Sequence, residues 1–398
     1  MQNKWKIAIL NTGSVNNRKG QFNNVHERIK HLQAVSEVDA DAYLIRHYDS
    51  WAFRFLRNKK ELKENISVRD GVKYNNLWVK HKLWDYILTY RLKRKDISCK
   101  SQLEQYVSLF KNYDLLSVHS LPDMYLAYLV KQKYGIPFVN TWHGGDINVW
   151  PFVNKKGFKT TKLLMENAEH NFFVSKRLQQ ISDKITKTNN KSHLYTGPSD
   201  IFYKQRIVDK QKLREDLNIQ SKYLIGYIGN LVSEKNVLCL PDIFSTLNAF
   251  MDGFYFIVVG DGVLENKLKK RMEKKGINNV TYTGKIEPER ILTIMSSLDI
   301  LLLPSITEGM PRVALEALVS GVHVVGSDAG GIPETIGKEN TFTLNGDFVK
   351  NISHRIIEIL INKEEPKLLA SEFSWDRSIE KELKVYAEIL NKKIKKLF

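Results

Sequence analysis

The stretch Asp299–Glu334, DILLLPSITEGMPRVALEALVSGVHVVGSDAGGIPE, reads as a strand, a loop, a helix and a second strand in direct succession. Ile300–Leu303 is a short apolar run that stops at Pro304, and a polar loop then leads to Pro311. Proline has a helix-compatible φ and no N–H to leave unbonded, which suits the first position of a helix. That helix is expected to run through Arg312, Val313, Ala314, Leu315, Glu316, Ala317 and Leu318 until Gly321 ends it. Val322–Val325 then supplies a new β-branched run. Parallel α/β sheets bind their ligands beyond the carboxyl ends of the strands. Glu308 lies in such a loop and Glu316 on the helix behind it, so this is where chemistry is expected.

The same pattern precedes it three times. Leu224–Ile228 enters Gly229-Asn230-Leu231-Val232-Ser233-Glu234-Lys235, Phe256–Val259 enters Gly260-Asp261-Gly262, and Val280–Thr283 enters Gly284-Lys285-Ile286. Strands that each end in glycine, with helices between them, predict a doubly wound parallel sheet. Lys235 falls where a loop would present a point charge to phosphate.

The first half repeats the theme less regularly. Lys6–Leu10 is a buried strand followed by the turn-prone NTGSVNNRKGQFNN and a helix expected from about Val25. With only Gly13 and Gly20, that loop has no G-x-G-x-x-G fingerprint for a dinucleotide. Val38–Ile45 is a second strand. Its Asp39 and Asp41 form a carboxylate pair at the amino end of the sheet, the wrong end for a ligand. Leu115–His119 is a third strand, and the helix after it closes at Gly135. Phe138–Thr141 is a fourth, with His143-Gly144-Gly145-Asp146 at its carboxyl end, where two glycines permit close backbone approach and a histidine can donate to a hydroxyl or a phosphate. Asn171–Val174 follows, with Ser175 as a helix cap; Ile201–Lys222 is a polar passage between domains. The tail from about Asp376 is an amphipathic helix, apolar at Ile379, Leu383, Tyr386, Ile389 and Leu390.

At 398 residues the chain fits two domains. The expected division is 1–200 with the tail 376–398, and 201–375. Sixty-one Lys and Arg against 44 Asp and Glu give a net charge of +17, which calls for an anionic partner. Arg46–Lys100 alone holds 15 basic and 6 acidic residues, interleaved with Trp51, Phe53, Phe55, Trp78, Trp84, Tyr86 and Tyr90. Such a region suits an anionic membrane surface, a solvated basic face over an aromatic core, or nucleic acid. Base-reading motifs are absent, so no nucleic-acid partner is expected. Cys99 and Cys239 are too few for a disulfide framework or a thiolate metal site. Neither a secretory leader nor a membrane span is expected, and the reading is cytoplasmic, peripheral on the inner face of the plasma membrane.

These motifs resemble glycosyltransferase family 4, retaining enzymes of the GT-B fold. The likeness is strongest from Gly226 to Glu334, in the strand-glycine-to-Lys235 loop, the VVGDG and YTGKI turns, and EGMPRVALE, a Glu followed after seven residues by another. It extends more weakly through Asn11–Gln21, Trp142–Asp146 and the FSW that opens the last helix. The resemblance implies two Rossmann-like domains facing each other across a cleft, with the last helix crossing back to the first. It implies a nucleoside diphosphate sugar as donor, UDP-sugars favoured, and transfer with retention to a hydroxyl of a lipid-linked or oligosaccharide acceptor in bacterial capsule, exopolysaccharide or lipopolysaccharide synthesis.

By the same resemblance Glu316 binds the ribose, Glu308 contacts the donor sugar, and Lys235 neutralises the diphosphate beside the helix amino end at Gly309, Met310, Pro311, Arg312 and Val313. Gly284, Lys285 and Ile286 flank the base, Gly260 lines the donor site, and His143 faces the donor sugar. Gly20, Gln21 and Asp146 are acceptor-side candidates. No metal or other cofactor is implied. Where the family commonly has Arg after the first glycine, this chain has Asn230, which donates hydrogen bonds without charge. The other readings are a GT-B epimerase or phosphorylase acting on soluble sugars, and a non-catalytic anion-binding module.

Overall fold

Short β-branched and leucine-rich runs between glycines leave little choice but strands buried on both faces, and the chain uses them to build two sheets. A computed structural model describes residues 4–16, 20–49, 63–92, 97, 99–203 and 210–395. Residues 1–196 with 375–398 form one compact unit and 197–374 the other.

The first unit holds an eight-stranded sheet: β1 (Trp5–Thr12), β2 (Val38–Asp49), β3 (Ile66–Arg69), β4 (Val72–His81), β5 (Leu115–Val118), β6 (Phe138–Trp142), β7 (His170–Phe173) and β8 (Lys191–His193). Their order is β3-β4-β2-β1-β5-β6-β7-β8, parallel except for the β3–β4 pair. The order reverses direction between β1 and β5. The helix Gly20–Gln33 covers one face through Phe22, Val25, Ile29 and Leu32, and the last helix, Trp375–Lys395, packs there through Ile379, Tyr386 and Leu390.

One expectation changes here. The first helix begins at Gly20, not near Val25: Phe22 is packed in the core, and that burial outweighs the weak helix propensity of Gly20, Asn23 and Asn24. Part of the basic aromatic region folds as the hairpin β3–β4, because Val72, Tyr74, Leu77 and Val79 are buried. The Arg46 guanidinium lies 4.4 Å over the Trp78 ring and the Lys63 ammonium 3.4 Å over Tyr48. These contacts cover aromatic faces with cations and keep both at the surface. Trp84 is exposed, while Trp51, Phe53 and Phe55 lie outside the described residues.

The second unit has a six-stranded, wholly parallel sheet: β9 (Tyr223–Ile228), β10 (Phe254–Val259), β11 (Val280–Gly284), β12 (Ile300–Leu303), β13 (His323–Ser327) and β14 (Thr341–Phe342), in the order β11-β10-β9-β12-β13-β14. Separate apolar layers cover its two faces, one around Phe244, Phe256 and Ile352, the other around Leu298, Ala314 and Ile332. The polar passage 201–222 belongs to this unit. Arg214 is buried and pairs with Asp299 at 2.7 Å, while Asp299 Oδ2 accepts from the Leu224 amide at 2.8 Å. The opening aspartate of the quoted stretch therefore fastens β9 to β12. Among the described residues no helix is long and apolar enough to cross a membrane.

Candidate active site

In the second unit the strand order switches between β9 and β12, so the loops leaving these two strands diverge and open a crevice at their carboxyl ends. Backbone ties first bring the loops together. The Ile306 amide donates to the Glu234 carbonyl at 2.8 Å, and the Gly331 amide to the Gly309 carbonyl at 2.9 Å. Gly330 has φ +52°, and a Cβ there would stand 1.9 Å from the Glu308 carbonyl oxygen. Only glycine lets this backbone pass so close to the loop that carries Glu308. Gly260, at φ +125°, does the same against the Gly229 carbonyl, where a Cβ would come to 2.0 Å.

On this frame Lys235 and Glu308, 73 residues apart, form an ion pair, and the Ser305 hydroxyl donates to the same Glu308 oxygen at 3.1 Å. The cation expected at the diphosphate and the acid expected at the sugar thus neutralise each other. The Arg312–Val319 helix starts beside them with Pro311 as its cap: Pro311 has ψ 89°, outside the helical range, so it flanks the helix instead of opening it. Its carbonyl accepts the first helical bond, from Ala314 at 2.9 Å, and no side chain caps this end. The amides of Arg312 and Val313 precede that first bond and stand at the positive end of the helix. Arg312 Nε donates to Glu316 Oε1 at 3.1 Å, and its Nη1 is buried without a partner among the described residues.

Asn230 is exposed, its carbonyl held by the Tyr227 hydroxyl at 2.9 Å; burial raises the Tyr227 pKa and keeps that hydroxyl a donor. Gly284 has φ +64° at the end of β11, and its carbonyl accepts from the Gly260 amide at 2.9 Å; Lys285 is exposed beyond it and Ile286 is partly buried. The residues expected at the donor in this unit lie in the loops after β9, β10, β11 and β12 and on the helix Arg312–Val319. Ser305, Tyr227 and Gly330 were missed. Only Gly330 left a signal, as the first of two adjacent glycines after β13.

The first unit has its own polar group at the β1–β5 reversal. Thr12 ends β1, and its hydroxyl donates to Asp123 Oδ1 at 2.7 Å; Ser120, just after β5, donates to Oδ2 at 2.5 Å. Asp123 is fully buried, and loss of water raises its pKa to about 7 despite both donors. His143 follows β6 with its Nε2 3.2 Å from Nδ1 of the buried His119. Burial, aided by the charge of Arg28, lowers the His143 pKa to about 3; burial, then the adjacent His143 and Arg28, lowers that of His119 well below the usual range, so both rings are neutral near pH 7.

Asp146 accepts from the amides of His143 at 3.0 Å and Gly144 at 2.7 Å, which folds the His-Gly-Gly turn back on itself; burial raises its pKa to about 6. Gln21 donates to the His119 carbonyl at 2.9 Å, so it supports this group from the first turn of its helix, and Gly20 is the exposed residue that opens that helix. Asp39 and Asp41 lie at the amino end of β2; Asp41 accepts from the Tyr113 hydroxyl at 2.5 Å. Thr12, His119, Ser120 and Asp123 were missed, although the carboxyl-end rule applied to β1 and β5 would have found them.

Residues 209–372, which build most of the second unit, match the family model of glycosyl transferases group 1. Among named relatives, TuaC of Bacillus subtilis, named for a glycosyltransferase of teichuronic acid biosynthesis, is 31% identical over 227 residues, 56% of this chain and 56% of that protein. The chain is thus matched over little more than half the length of that relative. Sucrose-phosphate synthase from Thermosynechococcus elongatus superposes with a TM-score of 0.77 at 14% identity, covering 98% of this chain and 100% of the other. HepE of Anabaena, solved with UDP-glucose, superposes with a TM-score of 0.68 at 16% identity over 98% and 99% of the two chains. The chain has the fold of these GT-B structures, and its likeness to the group 1 glycosyl transferases lies in the second unit.

Proposed function

We propose that the chain is a retaining glycosyltransferase of the family 4 type that moves a sugar from a nucleoside diphosphate sugar to a hydroxyl of a lipid-linked or oligosaccharide acceptor during synthesis of a bacterial surface polysaccharide. The observation that carries the reading is the convergence of Lys235, Glu308, Glu316 and an uncapped helix amino end at the β9–β12 switch point. A cation and unpaired amides suit a diphosphate, and carboxylates suit the hydroxyls of ribose and sugar. UDP is favoured as the nucleotide because HepE, a fold neighbour, binds UDP-glucose. The name of TuaC favours a surface-polymer acceptor.

In the proposed reaction the bond between the anomeric carbon and the β-phosphate oxygen breaks while the acceptor hydroxyl oxygen bonds to that carbon on the same face. The acceptor proton passes to the leaving phosphate. Lys235 exchanges Glu308 for the diphosphate, the Arg312 and Val313 amides share the developing charge, and Glu308 is released toward the sugar. Glu316 holds the ribose, and the Gly284–Ile286 turn borders the base. His143 offers a hydrogen bond to substrate. No metal is required by this scheme, because fixed cations and amides take its place. Action on the cytoplasmic side, with the basic surface of the first unit against anionic lipid, fits a lipid-linked acceptor.

Screening UDP-, GDP- and ADP-sugars for thermal stabilisation tests the donor, since only a bound nucleotide raises Tm by mass action. Stabilisation by one nucleotide class, followed by a product whose anomeric configuration matches that of the donor in NMR, is expected. A product of inverted configuration would overturn retention. Stabilisation by none would overturn the donor assignment.

A further inference from the structure

His119 and His143 follow adjacent strands, and their rings meet at a 45° tilt with centroids 5.4 Å apart. A hydrogen bond between two imidazole nitrogens needs one N–H and one bare nitrogen, so the 3.2 Å contact between His119 Nδ1 and His143 Nε2 couples the tautomers of both rings. Neither ring carries a second proton near pH 7, since loss of water lowers both pKa values, helped at His119 by the His143 ring beside it and at both by the charge of Arg28. Only two arrangements remain. If His143 donates from Nε2, His119 must carry its proton on its own Nε2, which is buried with no partner among the described residues. A stranded buried N–H is the rarer and costlier outcome. If His119 donates from Nδ1, its Nε2 is bare and His143 carries its proton on Nδ1.

His119 is also the better fixed of the two rings. It is fully buried, and Gln21 holds its carbonyl at 2.9 Å, whereas His143 is partly exposed beside a turn of two glycines.

We propose that His119 is a positioning residue that holds His143 in the Nδ1–H tautomer, so that His143 meets its substrate as a neutral hydrogen-bond donor and not as a base. Both nitrogens of His143 are then committed, Nε2 to His119 and the Nδ1 proton to an oxygen of the ligand. The ligand group must be an acceptor, a sugar hydroxyl oxygen or a phosphate oxygen. The identity of that substrate rests on the proposed function; the tautomer does not.

The test is imidazole nitrogen NMR of the full chain labelled with 15N-histidine, the His143→Gln variant assigning the His143 signals among the ten histidines. Expected in the wild type are a protonated Nδ1 and a bare Nε2 on His143 at pH 7. A protonated Nε2 would overturn the proposal. His119→Leu should release His143 into a mixture of tautomers and lower kcat about tenfold with little change in nucleotide affinity, the loss of one transition-state hydrogen bond. His119→Asn, whose amide can donate in place of Nδ1, should restore both. A His119→Leu protein with redistributed tautomers and unchanged kcat would overturn the donor role. Should that variant fail to fold, the wild-type spectrum still decides. The spectra are recorded without substrate, so absence of any transfer by the wild type would count against the proposed function and leave the tautomer result to stand by itself.

Discussion

Replacing Gly330 by alanine tests whether the loop bearing Glu308 is held by close backbone packing. The residue has φ +52°, which costs an alanine about 1–2 kcal/mol. Its new Cβ would also lie 1.9 Å from the Glu308 carbonyl oxygen and 2.5 Å from the carbonyl carbon, well under any real contact. Because backbone, not a flexible side chain, is in the way, the loop must move by about an ångström or more, at an overpacking cost of about 1–3 kcal/mol. Gly321 supplies the control. It has φ +66°, and a Cβ added there would meet nothing within 4 Å, so Gly321→Ala bears only the conformational cost. At about 2–4 °C per kcal/mol for a unit of this size, Gly321→Ala should lower Tm by roughly 2–8 °C and Gly330→Ala by roughly 4–20 °C. The displacement also moves Glu308, the acid proposed for the donor sugar, out of its place, so nucleotide-sugar stabilisation should fall in Gly330→Ala and persist in Gly321→Ala. Both are read from thermal melts with and without the donor. Equal melting losses for the two variants, with donor binding intact in both, would refute the packing argument.

Glu316→Ala should weaken nucleotide binding by about 1–3 kcal/mol through loss of charge-assisted hydrogen bonds, and unchanged affinity in calorimetry would remove its ribose role. Glu382→Leu strands Arg28, with which it forms a fully buried ion pair between the last helix and the first; urea unfolding should show a loss of about 3–5 kcal/mol, largely recovered in the Arg28→Met, Glu382→Leu double variant. Asp123 titrates near 7 when folded against about 3.8 when unfolded, so the unfolded chain loses this proton first and stability falls as pH rises through that window. Asp123→Asn removes this dependence. Its stability relative to wild type should improve from pH 4 to 7, by up to about 1.4 kcal/mol per pH unit, and a difference constant with pH in urea titrations would contradict the assignment.

The second sheet was legible because its central strands, β9, β10 and β12, are almost wholly buried and read as nearly unbroken apolar runs. β12 has the bounds expected from Ile300–Leu303, and every turn expected at a carboxyl end is found at one. The first unit was less so. β4 carries Lys73, Asn75, Asn76 and Lys80 among its apolar residues, because it lies one strand in from the edge and only part of its surface is covered. Its signal is too mixed for a periodicity to stand out. The start of the first helix was hidden for a related reason: Gly20, Asn23 and Asn24 argue locally against a helix, and only the packing of Phe22, which depends on the folded sheet, reverses them.

Residue types marked the candidate sites, but their pairing was not written in any local pattern. Lys235 and Glu308 were each assigned to a different part of the donor, and their ion pair depends on the order β9-β12 across 73 residues. That pair changes how the Asn230 departure should be weighed. A cation already neutralised by Glu308 has to give up that partner to serve a diphosphate, so the net electrostatic gain on donor binding is the difference between two ion pairs, smaller than the attraction of a bare lysine. In the proposed reaction, with no arginine at Asn230 to add charge, the uncapped amides before the Arg312–Val319 helix would carry a larger share of the leaving group. The same exchange has a second effect. In the proposed reaction it would free the Glu308 carboxylate only when a diphosphate has arrived, so the acid would become available to the sugar at the moment the sugar is present.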